Sequence, residues 1–265
     1  MNKALKYKFA EYASRYLAHF YKSQKPSILL YHAIGKQNLP INYSSIYSLD
    51  INIFLEHINF LVKNKIPVVN LNQIDLNKKS VSITFDDGLL NVYDNALPIL
   101  LKNNIPCTIF IITSYLNNNN YINVEILKKI SKYKNVTIGS HSKSHIDLTK
   151  CSKERLINEI VDSKNILENI IEKKVESFSY PYGKYKNEFN EILENVGYKY
   201  ALSSDFGTIN NLNNNFSLPR IDMWSHDDVK ILNEKIQGKW NWMKYYNNFF
   251  KNNLIDEKYI FSSQR

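Results

Sequence analysis

The segment Leu100-Leu-Lys-Asn-Asn-Ile-Pro-Cys-Thr-Ile-Phe-Ile-Ile112 carries the pattern that determines the fold class. A helix-like run ends at two asparagines, and a proline leads into an unbroken apolar stretch. Such a stretch predicts a strand that is buried on both faces, as in a parallel sheet. The same joint recurs at Leu61-Val-Lys-Asn-Lys-Ile-Pro-Val-Val69, which indicates repeated βα modules.

Strand-like and helical patterns alternate along most of the chain. The predicted strands are residues 27–31, 67–70, 81–85, 106–112, 136–139, 176–180, 198–203 and 217–221. The predicted helices are residues 51–64, 91–103, 152–171, 186–195 and 226–236. This alternation predicts an α/β fold. Seven or eight parallel strands within 265 residues favour a distorted (β/α) barrel over an open sheet.

The chain divides into three predicted parts, of which the barrel, residues 26–238, is the largest. Because the chain has only 7 Gly and 7 Pro, no flexible linker is expected and one compact domain is favoured. Residues 1–25 are predicted to form an amphipathic helix that covers the barrel floor, with binding to an anionic membrane as the alternative. Residues 239–265 form an aromatic-rich helical segment that we expect to pack on the barrel.

The net charge of +9 is carried mostly by dispersed lysines. It permits an anionic partner such as a nucleotide-linked sugar, a lipid phosphate or a membrane surface. No zinc finger, basic heptad or RNA-recognition signature accompanies the charge, so we do not expect a nucleic-acid partner. Cys107 and Cys151 are too few and too isolated for a disulfide framework or a C-x-x-C pair.

The N-terminal segment starts with basic residues but contains no continuous apolar stretch and no small-residue cleavage site. We therefore expect neither a signal peptide nor a membrane span. The expected location is the cytoplasm, with peripheral attachment to the inner face of the membrane as the alternative.

Polar side chains follow several predicted strands at the point where each strand ends. These residues are His32, Asp86, Asp87, His141, His145 and Tyr182. Because the carboxyl ends of parallel barrel strands share one rim, we expect these groups to meet there. The spacing of His141 and His145 would let both rings bind one metal ion from one side of a helical turn. The sequence therefore predicts a metal site at the rim.

Three motifs resemble those of a known family: Thr84-Phe-Asp-Asp-Gly88, His141-Ser-Lys-Ser-His145 and Tyr180-Pro-Tyr-Gly183. They are similar to the first three motifs of the polysaccharide deacetylases, carbohydrate esterase family four. The resemblance runs in order from about Ser27 to Gly238. Leu29-Leu-Tyr-His32 and Leu218-Pro-Arg-Ile221 resemble the branch that contains poly-N-acetylglucosamine and surface-polysaccharide deacetylases.

The resemblance implies a distorted (β/α) barrel that uses one divalent metal ion to remove acetyl groups from N-acetylhexosamines. Zinc is the first expectation for this ion, with cobalt, nickel, manganese and iron as alternatives. The implied metal ligands are Asp87, His141 and His145. Asp86 is the implied general base, and the backbone N–H of Tyr182 is the implied donor to the oxyanion. Three protein ligands would leave coordination positions for water and a carbonyl oxygen.

Two features depart from the family pattern. Ser179 stands where many members have an arginine, and no clear Leu-x-x-x-His motif supplies a general acid. We expect Arg220 to replace the missing arginine and to hold Asp86 in its ionised form. His32 is favoured over His226 as the general acid. It ends a predicted strand, and the resembled branch supplies its acid from that early position.

Other functions remain open at this point. Asp86 and Asp87 could be the carboxylates of a glycosidase, but neighbours in sequence cannot easily lie roughly 5 to 9 Å apart across a sugar. A non-haem iron oxygenase would also use two histidines and one carboxylate. A hydrolase of a non-sugar amide and a non-catalytic carbohydrate-binding relative are the further alternatives. The main expectation is an N-deacetylase of a surface glycan or its precursor, whose N-acetylated sugar could be lipid-linked or nucleotide-linked. The sequence names neither that sugar nor the oligomeric state.

Overall fold

The computed structural model describes residues 23–245 together with Tyr12 and Tyr16. The strands of this part are β1 (Ser27–Tyr31), β2 (Ala33–Ile34), β3 (Ser48–Leu49), β4 (Val81–Phe85), β5 (Cys107–Ile111), β6 (Val136–Ser140), β7 (Ser177–Ser179), β8 (Tyr200–Phe206) and β9 (Leu218–Asp222). Strands β2 and β3 form a small separate sheet. The others pair in parallel and close into a barrel in the order β1-β4-β5-β6-β7-β8-β9. The predicted α/β barrel is confirmed, with seven parallel strands in residues 23–245.

The helices of the described part are α1 (Ile51–Lys63), α2 (Leu97–Lys102), α3 (Val124–Ile130), α4 (Lys153–Ile171), α5 (Phe189–Val196) and α6 (Val229–Ile236). A π-helical segment, Val92–Ala96, runs directly into α2. Polar side chains that accept a hydrogen bond from a first-turn N–H cap several helices, and these caps are Asp50, Asn123, Ser152 and Asp228. Each cap satisfies an N–H that has no partner within its helix, so the local sequence sets where these helices begin.

The unbroken apolar strands are buried on both faces, as the sequence predicts. Every residue of β1, β4 and β5 is buried. A cluster of residues from several strands surrounds Phe110, including Ile28, Leu202 and Leu218. Gly139 on β6 faces the Phe110 ring, and a Cβ at this position would lie within 2.4 Å of it. The missing side chain at Gly139 therefore makes room for the Phe110 ring.

One local prediction is wrong, because residues 67–70 form a single bridge, Val68 to Val81, instead of a strand. Strand β5 pairs with β4 from Thr84 onward, whereas residues 67–70 pair with β4 only at Val81. The helix predicted over residues 91–103 is present, and its Val92–Ala96 part is π-helical before the chain continues into α2. The short elements α3, β2 and β3 escaped prediction because so few residues carry too little periodicity.

The two chain ends fall mostly outside the described residues. The predicted helix over residues 1–25 is described only at Tyr12, Tyr16 and residues 23–25, so this division stays a prediction. The predicted segment over residues 239–265 is described as far as residue 245, and within it Trp240 is fully buried. Among the described residues, no helix combines the length and the hydropathy that crossing a membrane requires.

A buried ion pair joins α6 to the end of β9. The side chains of Lys235 and Asp227 are fully buried and paired, and Lys235 Nζ also donates to the carbonyl oxygen of Asp222 at 2.7 Å. The ammonium group lies 4.1 Å from the centre of the Trp224 ring, where a cation is favoured. The carbonyl oxygen of Asp227 is 2.8 Å from Nε2 of His57 on α1. The pair thus connects α1 and α6 with the carboxyl end of β9.

We expect Asp227→Asn to lower the free energy of unfolding by about 3 to 5 kcal/mol, because the charge of Lys235 would stay buried without its counterion. The matched control is Asp75→Asn, whose partner Lys78 is exposed, and we expect no change in its unfolding midpoint. Urea unfolding of both variants and the wild type measures the difference. Equal midpoints for Asp227→Asn and the wild type would contradict the prediction.

Candidate active site

Asp87, His141 and His145 lie together at the carboxyl ends of β4 and β6. Their candidate ligand atoms all lie within 4.8 Å of one another. Asp87 Oδ1 is 3.6 Å from His141 Nε2 and 3.7 Å from His145 Nε2. Both imidazole rings are buried, and their centroids are 4.7 Å apart. The barrel thus brings the three residues together as a candidate metal site.

The two histidines lie on a tight loop, whereas the spacing favours a helical turn. The backbone is in the left-handed region at Ser142, with a φ of 63°, and at His145, with a φ of 54°. The Ser142 hydroxyl oxygen accepts a hydrogen bond from the His145 N–H at 3.0 Å. Non-glycine residues rarely adopt this conformation, so the surrounding structure must hold the loop in place.

Hydrogen bonding decides which nitrogen of His141 faces the site. Its Nδ1 lies 2.8 Å from the carbonyl oxygen of Ser179, so Nδ1 carries the proton and Nε2 keeps a lone pair toward Asp87. Burial lowers the pKa of His145 to about 4. His145 is therefore neutral at pH 7, which is the form that binds a metal ion.

A buried carboxylate on α4 holds the same loop. Glu159 is fully buried and accepts hydrogen bonds from the N–H and the hydroxyl group of Ser144. Arg155 pairs with Glu159 at 2.8 Å and donates to the Ser144 hydroxyl at 3.0 Å. Because Ser144 directly precedes His145, this contact fixes the position of that candidate ligand.

Arg220 and Asp86 form a bidentate ion pair. Arg220 Nη1 and Nη2 each lie 2.8 Å from one Asp86 oxygen, and the Ser179 hydroxyl donates to Asp86 Oδ2 at 3.0 Å. Burial alone would raise the pKa of Asp86, but Arg220 outweighs it and holds this pKa well below its usual range. Asp86 Oδ2 also lies 3.8 Å from His141 Nε2. An ionised carboxylate therefore stands beside the candidate metal site.

Of the two candidate acids, His32 faces the site. It lies close enough to Asp86 and His145 to influence the pKa of both. Its ring lies 4.7 Å from the Tyr47 ring, and its buried Nδ1 has no hydrogen-bond partner among the described residues. His226 is exposed, and its ring nitrogen contacts the neighbouring serine hydroxyl. The position of His32 favours it as the acid, and the assignment stays a prediction.

Tyr182 lies in the turn that follows β7, with a φ of 58° in the left-handed region. Its exposed ring is 4.8 Å from the ring of His145. The next residue, Gly183, runs so close to β8 that a Cβ there would lie 2.4 Å from the backbone nitrogen of Ser204. This close approach requires glycine and fixes the turn that carries Tyr182 against β8.

The donor set fits a divalent metal ion. Two imidazoles and one carboxylate are a ligand set found in catalytic zinc sites and in sites of other first-row metals. Two ligands are in turn oriented by their neighbours. The Ser179 carbonyl holds His141, and the Tyr43 hydroxyl donates to Asp87 Oδ2 at 3.2 Å. Such outer contacts are typical of metal sites because they fix the orientation of the ligands.

Glu159 and Tyr43 are site residues that sequence reasoning missed. Glu159 carried a readable signal, since it lies in the buried face of α4 together with Leu156 and Ile160. A charge in an apolar stripe requires a partner. Tyr43 lies in the segment between β2 and β3 and carried no such signal, because one tyrosine in a loop has no distinctive pattern.

We expect Glu159→Gln to weaken Zn²⁺ binding about 10-fold or more. Glutamine offers one acceptor oxygen where the carboxylate accepts from both groups of Ser144, so the loop that carries His145 should loosen. Isothermal titration of metal-free protein with Zn²⁺ measures the affinity.

The matched control is Asp162→Asn, the same chemical change on the same helix. Asp162 pairs with Lys143 at the protein surface, where an ion pair contributes little. We expect wild-type Zn²⁺ affinity for this variant. Equal affinities for Glu159→Gln and Asp162→Asn would show that the buried carboxylate does not position the site.

Comparisons with known proteins agree with this geometry. Residues 73–201 match the family described as polysaccharide deacetylase. The protein YxkH of Bacillus subtilis (strain 168), whose name describes a polysaccharide deacetylase, is 27% identical over 213 residues, covering 76% of this chain and 73% of the relative. A poly-beta-1,6-N-acetyl-D-glucosamine N-deacetylase of Staphylococcus aureus (strain MRSA252) is 26% identical over 230 residues, covering 76% of this chain and 79% of the relative.

A solved structure shares the fold. The Streptococcus pyogenes deacetylase PplD, solved in complex with acetate, superposes with a TM-score of 0.71 at 22% identity. The superposition covers 80% of this chain and 98% of that chain. The family match itself spans Asp86, Asp87, His141 and His145. The barrel, the motifs and these similarities agree, and the chain is similar to the polysaccharide deacetylase family.

Proposed function

We propose that this chain is a metal-dependent hydrolase that removes the N-acetyl group from an N-acetylhexosamine in a surface polysaccharide, an oligosaccharide or a glycan precursor. The observation that carries the proposal is the buried Asp86–Arg220 pair beside the Asp87, His141 and His145 cluster. Hydrolysis of an amide needs both a base and a means to polarise the carbonyl. The Staphylococcus aureus relative, named for N-deacetylation of poly-beta-1,6-N-acetyl-D-glucosamine, supports a sugar substrate.

Asp87, His141 and His145 would hold one divalent ion, for which zinc is the first candidate. Such an ion would supply Lewis-acid polarisation of the amide carbonyl and would increase the acidity of water at the site. Asp86 accepts the proton of the attacking water. Because Arg220 keeps the pKa of Asp86 low, this carboxylate is always available as an acceptor but is a weak base.

Tyr182 and His32 carry out the remaining steps. The backbone N–H of Tyr182 donates to the negative charge that develops on the amide oxygen. His32 donates a proton to the departing nitrogen, so that the sugar leaves as an amine and the acetyl group leaves as acetate. The exposed ring of Tyr182 next to His145 offers an apolar face to the sugar.

The geometry argues against two other reactions. A glycosidase needs two carboxyl groups that face each other across a sugar. Here both oxygens of Asp86 are bound to Arg220, while Asp87 is turned toward the histidines. A non-haem iron oxygenase would use the same three ligands but would not require an ionised base beside them.

We expect Asp86→Asn to reduce kcat at least about 100-fold while leaving one divalent ion per chain, because asparagine cannot accept a proton. Asp87→Asn should lose both the ion and the activity. His32→Gln should lower kcat strongly, whereas its matched control His226→Gln should retain activity. Acetate release from N-acetylglucosamine oligomers and metal analysis of protein purified without a His tag measure these effects. Full activity of Asp86→Asn would overturn the assigned base.

The substrate class is tested by comparing acetate release from four kinds of compound. These are N-acetylglucosamine oligomers, nucleotide-linked N-acetyl sugars, lipid-linked N-acetyl sugars and a non-sugar N-acetyl amide. We expect release from at least one of the three sugar classes. Release from the non-sugar amide alone would replace the sugar substrate, and glycan binding without any acetate release would indicate a non-catalytic relative.

A further inference from the structure

We propose that Tyr43 is a positioning residue that makes Asp87 a one-oxygen ligand. The inference rests on the metal site of the proposed function and adds the group that orients its carboxylate. The Tyr43 hydroxyl donates to Asp87 Oδ2 at 3.2 Å. The other oxygen, Oδ1, is the one that lies 3.6 and 3.7 Å from the Nε2 atoms of His141 and His145. The two oxygens of Asp87 therefore have different partners.

Asp87 needs such support for two physical reasons. Its backbone has a φ of 71°, in the left-handed region that costs free energy for a residue with a Cβ. Its two carboxylate oxygens are chemically equivalent, so nothing within the residue decides which one faces the histidines. A hydrogen bond to Oδ2 makes the two oxygens inequivalent and favours the orientation in which Oδ1 faces the candidate site.

Hydrogen bonds anchor the segment that leads to Tyr43 on the part of the chain that follows Asp87. Three asparagine side chains from the stretch after Asp87 donate to backbone carbonyl oxygens of residues 34–39. The bonds run from Asn91 to Gly35 and Gln37, from Asn95 to Ile34, and from Asn120 to Leu39. Asn95 belongs to the π-helical segment, a feature frequent at functional sites. These bonds hold the Tyr43 segment against the chain that continues from Asp87.

The Tyr43 hydroxyl is the donor in this contact, and Asp87 Oδ2 is the acceptor. Outer hydrogen bonds of this kind orient a ligand and typically change metal affinity 10-fold to 100-fold when removed.

The test is the Zn²⁺ affinity of the metal-free full-length protein, measured by isothermal titration calorimetry. We expect Tyr43→Phe, which keeps the ring and removes the hydroxyl, to bind Zn²⁺ at least about 10-fold more weakly than the wild type. The matched control is Tyr115→Phe. Tyr115 also feels the charge of Asp87, but the described residues show no hydrogen bond between its hydroxyl and that carboxylate. We expect wild-type affinity for this control.

A second measurement reports ligand geometry directly. Co²⁺ replaces Zn²⁺ in such sites, and its visible absorption spectrum depends on the number and arrangement of the ligands. We expect a changed spectrum for Tyr43→Phe and a wild-type spectrum for Tyr115→Phe. An unchanged Zn²⁺ affinity together with an unchanged Co²⁺ spectrum in Tyr43→Phe would overturn the inference.

A further variant distinguishes the loss of the anchored segment from a general loss of structure. Asn120→Asp removes the donor to Leu39 without changing any aromatic ring, and aspartate tolerates the left-handed backbone of this position. Weaker Zn²⁺ binding by Asn120→Asp, with a wild-type urea midpoint, supports the anchored segment as the cause. Wild-type Zn²⁺ affinity in both Asn120→Asp and Tyr43→Phe overturns the positioning role of Tyr43.

The fate of this inference can be separated from that of the proposed function. Weaker metal binding by Tyr43→Phe in a protein that deacetylates no sugar would support the inference and contradict the proposed substrate. Sugar deacetylation by the wild type, with unchanged metal binding in Tyr43→Phe, would contradict the inference and support the proposed substrate. A wild-type protein that binds neither Zn²⁺ nor Co²⁺ would overturn both.

Discussion

The ion pair between Asp86 and Arg220 is the contact on which the candidate site depends. Both side chains are buried, and a buried charge is tolerated only where a counterion and hydrogen bonds replace its water. Arg220 meets this requirement with two bonds to Asp86 and a third, from Nε, to the carbonyl oxygen of Ser203 at 2.9 Å. The pair links β4 to β9, and Ser203 extends the link to β8. It therefore sets the electrostatics of the site and also ties the upper ends of these strands together.

Ser179 couples this ion pair to the metal cluster. Its hydroxyl donates to Asp86 and lies 3.0 Å from Arg220 Nη2, while its carbonyl oxygen accepts from His141 Nδ1. One residue at the end of β7 thus orients both the proposed base and a candidate ligand. The family that the motifs resemble commonly has an arginine at this position. Here Arg220 approaches from β9, and the small serine leaves room for its guanidinium group.

Each candidate ligand has a support from a different part of the barrel. His141 is held by β7, His145 by Glu159 of α4, and Asp87 by Tyr43 from the segment between β2 and β3. Independent supports let the three side chains keep one arrangement, and contacts elsewhere offset the unfavourable backbone of Asp87 and His145. These contacts hold the charged groups in fixed positions, which is what a reaction that depends on charge placement requires.

The sequence by itself determined the barrel and the identity of its rim. Unbroken apolar runs require strands that are buried on both faces. Polar residues directly after such runs lie at the strand ends. For this reason the positions of Asp87 and His141 at the rim could be predicted. The limit of such reasoning is clear at residues 67–70, where a strand-like pattern forms only a single bridge to β4. The expectation that Arg220 holds Asp86 rested on the family resemblance, and only the tertiary structure decided how Arg220 reaches it across 134 residues and that Tyr43 reaches Asp87. These contacts depend on which strands become neighbours and how loops pack over the rim, and no local periodicity encodes either.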